Sequence, residues 1–182
     1  MKNYAVLLFA TILSFSCMAQ NTFEVSAAAG YTAVDLDALV EKDEVSGSYV
    51  TDWNQLSAGI GVQYFYAASE NIGYGAELMY HHLYWYSVRI PFGTQVIYRD
   101  YSVTAFRITP IVRFGINSAV SIDIGPELNF SDGLEVGLML AGGYNISLSD
   151  RLTVPLKLRL DIMNSTVITL PVTINAGLRF KL

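Results

Sequence analysis

The sequence predicts an all-β chain: an eight-stranded antiparallel up-and-down transmembrane β-barrel with a polar, side-chain-filled lumen. Three observations predict it. Eight segments alternate apolar and polar side chains with the period of two that marks a strand with two different faces. Most of them exceed the ~9–11 residues that a tilted strand needs to cross a bilayer. Most glycines and a balanced set of charges fall on the polar face, which suits a narrow interior better than a solvated surface.

The opening, MKNYAVLLFATILSFSCMAQ, has a basic Lys2, an apolar stretch from Ala5 to Phe15, and small residues at Cys17 and Ala19. It reads as a secretory signal peptide over residues 1–19, with the barrel domain expected over 20–182. Cys17 opens a lipoprotein alternative, but Ser14 stands where a lipobox has a Leu-like residue. A cut after Ala19 leaves no cysteine, so disulfide and thiol chemistry drop out. Of the 11 basic residues only Lys2 precedes the cut, leaving 10 against 16 acidic residues, a net charge of −6. That balance argues against nucleic acid as a partner. Only Lys42, Lys157 and Lys181 remain as lysines, few for a soluble surface. No later run has eighteen apolar residues, so helical membrane spans are excluded, yet mean hydropathy is +0.37.

The alternating segments follow in order. Thr22 to Thr32 carries Phe23, Val25, Ala27, Ala29 and Tyr31 on one face. Gln55 to Tyr66 carries Leu56, Ala58, Ile60, Val62, Tyr64 and Tyr66. Ile72 to Tyr86 carries Tyr74, Ala76, Leu78, Tyr80, Tyr84 and Tyr86. Ser102 to Phe114 carries Phe106, Ile108, Val112 and Phe114. Val120 to Phe130 carries Ile122, Ile124, Leu128 and Phe130. Leu134 to Leu148 carries Val136, Leu138, Leu140, Tyr144 and Ile146. Val154 to Ile162 alternates without a break, and Leu170 to Leu182 closes the set with Val172, Ile174, Ala176, Leu178, Phe180 and Leu182. Tight Asn/Asp/Ser turns, AASEN, GINSA and SLSDR, follow the even segments. Longer connections, near 33–53 and 87–101, follow the first and third. Short turns on one side and longer loops on the other is the plan of an outer-membrane barrel.

The polar face decides which side meets water. Ten of the 14 glycines lie on it: Gly30, Gly59, Gly61, Gly73, Gly75, Gly115, Gly125, Gly137, Gly143 and Gly177. Inside a narrow barrel large side chains need small neighbours. The same face carries Glu24, Glu77, Asp123, Glu127, Glu135 and Asp161 against Arg107, Arg113, Lys157, Arg159, Arg179 and Lys181. Six against six is what a water-poor interior demands, because a buried charge must be paired. On the apolar face, Tyr64, Tyr66, Tyr74, Phe114, Tyr144 and Phe180 are expected at the periplasmic rim. Tyr31, Tyr84, Tyr86 and Phe130 are expected at the outer rim, as two interfacial girdles. A soluble lipocalin-like barrel explains the alternation but not the glycine placement or the scarcity of lysine.

The eight amphipathic segments and the ending VTINAGLRFKL resemble the small outer-membrane β-barrel family, similar to OmpX-like, OmpA-like and PorT-like barrels. The resemblance covers residues 20–182. It implies the outer membrane of a Gram-negative bacterium, contact with outer-membrane lipid and lipopolysaccharide, and handling by periplasmic chaperones and the barrel-assembly machinery. Family members usually end in an aromatic residue read by that machinery. Here Leu182 is last, with Phe180 two before it on the same face.

His81-His82 is the only histidine site. Parity puts His81 in the lumen and His82 towards lipid near the outer rim, as in lipid-modifying barrel enzymes. The nearest candidate partners, Ser87 and Glu77, form no recognisable motif with the pair. No catalytic residue is therefore expected. A metal site is not expected either, because adjacent strand residues face opposite ways, and no cofactor is implied. The connection 33–53 carries six acids and one lysine without EF-hand spacing, and suits divalent cations or an external partner. Pro110, Pro126, Pro155 and Pro171 are expected at bulges or strand ends, with parity liable to slip beyond them. Counting across a hinge at Asn117 pairs residues whose numbers sum to about 234, so Arg107 and Glu127 are expected to form an ion pair. Closure of the barrel should bring Arg179 or Lys181 near Glu24.

The expected role is structural, anchoring or surface-interacting, with external contacts through 33–53 and 87–101. A lipid-modifying enzyme, a narrow porin-like channel and a secreted lipocalin-like ligand-binding barrel stand as alternatives.

Overall fold

A computed structural model describes residues 21–34, 49–92, 94–131, 133–164 and 169–182. The expected signal peptide and residues 35–48 of the first connection lie outside the described residues. Among them nine strands form one antiparallel sheet: β1 (Asn21–Val34), β2 (Tyr49–Asn54), β3 (Leu56–Ala67), β4 (Ile72–Phe92), β5 (Gln95–Phe114), β6 (Val120–Phe130), β7 (Leu134–Ser147), β8 (Leu152–Asn164) and β9 (Thr169–Lys181). The sheet order is β2-β4-β3-β1-β9-β8-β7-β6-β5, and β4 pairs back with β5. The ring therefore closes through eight strands. β2 stands outside it, paired only with β4, and continues the line of β3 beyond a break at Gln55.

The apolar residues of the alternating rows point out. Leu56, Ile60, Leu158 and Ile174 are each at least 60% exposed, while Glu24, Glu77, Arg107, Arg113 and Asp161 are at most 1% exposed. This is the inverse of a soluble barrel. It suits an apolar solvent outside and a wall whose backbone groups pair from strand to strand, apart from gaps at the prolines. Phe180, Phe23 and Tyr64 lie side by side across β9, β1 and β3 near the short turns, as do Tyr66 and Tyr74. At the far end Tyr80, Phe106 and Phe130 make the corresponding row across β4, β5 and β6.

The short turns share a chemistry. Ser69 Oγ accepts from the N–H of Ile72 at 3.1 Å, and Ser149 Oγ accepts from the N–H of Leu152 at 3.2 Å. In the third turn Gly115 takes a positive φ of 74°, and a Cβ there would meet Val120 O at 2.3 Å. Gly115 thus serves the turn rather than the inner face on which parity had placed it.

Three further expectations are corrected. Residues 87–92 and 94–101 are not a long loop. They form the upper part of a β4–β5 hairpin paired continuously from Tyr84↔Val103 to Phe92↔Gln95. The four prolines neither end strands nor shift parity. Pro110 and Pro126 face each other in one gap of the β5–β6 ladder, whereas Pro155, opposite Gly177, and Pro171, opposite Asp161, stand at two separate gaps of the β8–β9 ladder; both ladders then resume in register. A proline lacks the N–H for the ladder, so the facing Pro110 and Pro126 lose one stretch of pairing instead of two, while Pro155 and Pro171 each lose their own. Register shifts lie elsewhere: one between Val50 and Asp52 in β2, and a bulge between His82 and Tyr84 in β4. Leu83 and Tyr84 both turn inward, so Tyr84 and Tyr86 are buried and not on an outer girdle. Beyond this bulge the pattern inverts: Tyr84, Tyr86 and Val88 are buried, and Ser87 and Asp100 lie together on the outer face.

Candidate functional site: a sealed lumen

The inward row of each strand supplies the site. Five acids, Glu24, Glu77, Asp123, Glu127 and Asp161, and five bases, Arg107, Arg113, Lys157, Arg159 and Arg179, are at most 4% exposed. They divide into two groups. Near the short turns, Lys157 Nζ lies 2.5 Å from Glu24 and 3.4 Å from Asp123. Arg113 is bidentate to Asp123 at 2.6 and 2.7 Å and lies 3.4 Å from Glu24. Arg179 meets Glu24 at 2.9 Å, directly across the β1–β9 seam. In the far half, Arg159 reaches Asp161 and Glu127, each at 2.6 Å, and also Glu77. Arg107 donates to Asp161 at 2.7 Å and lies 3.3 Å from Glu127.

The expected Arg107–Glu127 neighbours are thus 3.3 Å apart, but through a different register. Opposed residues sum to 236, so Arg107 faces Asn129 and meets Glu127 on the diagonal. Its closer carboxylate is Asp161. Of the twelve charged residues expected in the lumen, Glu135 and Lys181 lie partly exposed at opposite rims, outside the ion-pair network. Glu135 accepts from Asn129 Nδ2 at 2.7 Å, and Lys181 lines a shallow notch with Asp150, Arg151 and Leu182.

Apolar clusters cover the network at both ends. Phe65, Ile111, Ile116, Met139 and Ala141 pack towards the short turns, where the Arg113 guanidinium sits 3.7 Å from the centre of the Phe65 ring. At the far end Leu83, Tyr84, Tyr86, Val88, Ala105 and Met163 pack together, with Tyr86 stacked on Tyr101 at 4.9 Å. Glycines make room for this filling. A Cβ at Gly75 would lie 2.6 Å from the Phe65 ring, and one at Gly59 would lie 2.9 Å from the His81 ring. Long side chains and close packing leave a filled lumen.

His81 is fully buried in the lumen and His82 faces out, half-buried. The partners considered for them are engaged elsewhere. Glu77 binds Gln63 and Arg159, and Ser87 Oγ donates to Asp100 at 2.5 Å. Both His81 ring nitrogens lack a protein partner, and His82 Nδ1 lies 3.5 Å from Ser102 Oγ. The residues that sequence reasoning passed over are the neutral amides. Gln63, Asn129 and Asn145 are buried among the charges, and all sit on inward rows, the one signal that marks them.

An inside-out wall, a filled polar lumen and short turns at one end define an eight-stranded outer-membrane-type β-barrel. No family model and no curated protein matches the sequence. Solved structures do match in fold. OprG of Pseudomonas aeruginosa superposes with a TM-score of 0.53 at 13% identity, over 90% of this chain and 96% of that one. Ail of Yersinia pestis, solved with the heparin analogue sucrose octasulfate, gives 0.52 at 13% identity over 89% and 99%. Neisserial surface protein A gives 0.51 at 13% identity over 89% and 97%. The chain is therefore similar in fold to small outer-membrane barrels along nearly its whole described length.

Proposed function

We propose that this chain is a non-conducting barrel of the Gram-negative outer membrane, which anchors a projecting β-sheet for contact with an external partner. The observation that carries the reading is the hairpin beyond the His82–Tyr84 bulge, joined by β2 into a three-stranded flap. Its tip exposes Val96, Ile97 and Tyr98, while the lumen beneath is filled with paired charges. Apolar groups on a projecting element suit recognition better than permeation. The partner class follows from charge. Residues 33–53 carry six acids and one lysine, so a cationic partner, or divalent cations shared with lipopolysaccharide, fits better than a sulfated polyanion of the kind bound to Ail. Periplasmic chaperones and the barrel-assembly machinery belong to the same reading, as the route to the membrane.

The test is fractionation and heat-modifiable gel mobility, with an epitope inserted after Thr94. The reading expects an outer-membrane, heat-modifiable protein whose epitope is removed by protease on intact cells. Recovery as a soluble periplasmic protein, or ion conductance in planar bilayers, contradicts it. A second reading, a lipid-modifying enzyme, draws on the contact between Ser102 and His82 at the outer rim. It expects purified protein to cleave an ester of an outer-leaflet lipid and to stop doing so as Ser102→Ala.

A further inference from the structure

The two halves of the lumen do not carry the same charge. The half near the short turns holds Arg113, Lys157 and Arg179 against Glu24 and Asp123, a surplus of one positive charge. The far half holds Arg107 and Arg159 against Glu77, Glu127 and Asp161, a surplus of one negative charge. The ion pairs formed by these ten residues stay within one half or the other. One side chain bridges the gap. Gln63, 3% exposed on β3, donates from Nε2 to Glu77 at 2.5 Å. Its Oε1 accepts from Lys157 Nζ at 2.9 Å and from Arg113 at 3.0 Å. The amide thus presents its donor end to the negative half and its acceptor end to the positive half.

We propose that Gln63 is the charge-matched junction of the lumen, a conformational device that locks two oppositely charged half-networks into one neutral plug. Neither half is neutral alone, and an uncompensated buried charge is costly. A neutral amide can join them because it donates at one end and accepts at the other without adding a charge to either half. A carboxylate at that position repels Glu77, and an ammonium repels Lys157 and Arg113. The proposal concerns the stability of the joined charge network and stands apart from the surface role above: a conducting wild type would overturn that role while leaving the stability comparison below intact.

The experiment is urea unfolding of the full chain refolded into phosphatidylcholine vesicles, comparing wild type, Q63M, Q63E and the double variant Q63E/E77Q. Methionine keeps the volume and removes the amide. Q63M should raise the unfolding equilibrium constant roughly tenfold or more. Q63E should raise it further, because two carboxylates then meet. Adding E77Q restores an amide facing a carboxylate and moves one negative charge from the far half to the near one, which leaves both halves balanced. The double variant should therefore recover most of the stability that Q63E loses. A Q63M variant as stable as wild type would overturn the proposal. So would a double variant no more stable than Q63E, including the case in which neither folds.

Discussion

The lower and upper parts of β4 carry the same alternation with opposite meanings. From Tyr74 to Tyr80 the large apolar side chains Tyr74, Leu78 and Tyr80 point out, and Glu77 points in beside Met79. From Tyr84 to Val88 it is Tyr84, Tyr86 and Val88 that point in, with Trp85 and Ser87 on the other face. One bulge at Leu83 separates the two regimes. The difference teaches that period-2 alternation reports a two-faced strand and nothing about its solvent. The medium outside decides which face is buried. Where the sense inverts along a single strand, the medium changes, so the bulge marks the level at which the wall leaves lipid.

The sharpest way to break this contrast is to attack the inner face of the lower wall. Arg159 holds Glu77, Glu127 and Asp161 at once. Arg159→Glu leaves three buried carboxylates facing a fourth. It should cost more than the ~3–5 kcal/mol of a broken buried pair and abolish folding into vesicles, read as loss of heat-modifiable mobility. Next comes a pair of arginine substitutions on outward apolar residues. Leu158→Arg, at the middle of β8, should destabilise by about 2–4 kcal/mol in urea titrations. Val96→Arg, at the flap tip, should stay within about 0.5 kcal/mol. Equal costs would mean that both sites face the same medium. Valine at the two kinds of glycine gives a smaller contrast. Gly75→Val meets Tyr64 O and the Phe65 ring and should cost about 1–3 kcal/mol, whereas nothing lies within 4 Å of a Cβ at Gly142 and Gly142→Val should be close to neutral. The smallest effect belongs to the flap. Tyr86→Leu keeps an apolar side chain in the cluster but removes the stack on Tyr101, and should cost about 1 kcal/mol. Its readout is faster amide exchange in residues 84–101 with unchanged exchange in β7–β9.

The eight wall strands and their inside-out sense were legible because burial on one face leaves a periodic trace and because glycines and charges have no reason to share a solvated face. The ten core charges of the lumen were legible for the same reason: each occupies an inward parity position. What escaped depends on contacts between strands distant in sequence. Inward parity marks Gln63 as a lumen residue, but nothing local to it shows what it joins. Its role arises only when β3, β4, β5 and β8 close around it. The bulge was hidden because HHLYWYSV continues to alternate plausibly if Tyr84 and Tyr86 are read as an interfacial girdle. The prolines misled in the other direction. Each disrupts a ladder locally, but the register is the same on both sides of every gap, so parity stays intact.

The central claim is tested most directly by a cysteine scan along β4, from Tyr74 to Arg89, in a chain with Cys17→Ser. Each site carries a nitroxide, and its accessibility to oxygen in the lipid is compared with that to a water-soluble nickel chelate. The account predicts oxygen-accessible labels at 74, 76, 78 and 80, protected ones at 77, 79 and 81, and a phase break at 83. Labels at 84, 86 and 88 should then be protected, and those at 87 and 89 chelate-accessible. An alternation that runs unbroken through 88, or chelate access at 76, 78 and 80, would contradict it.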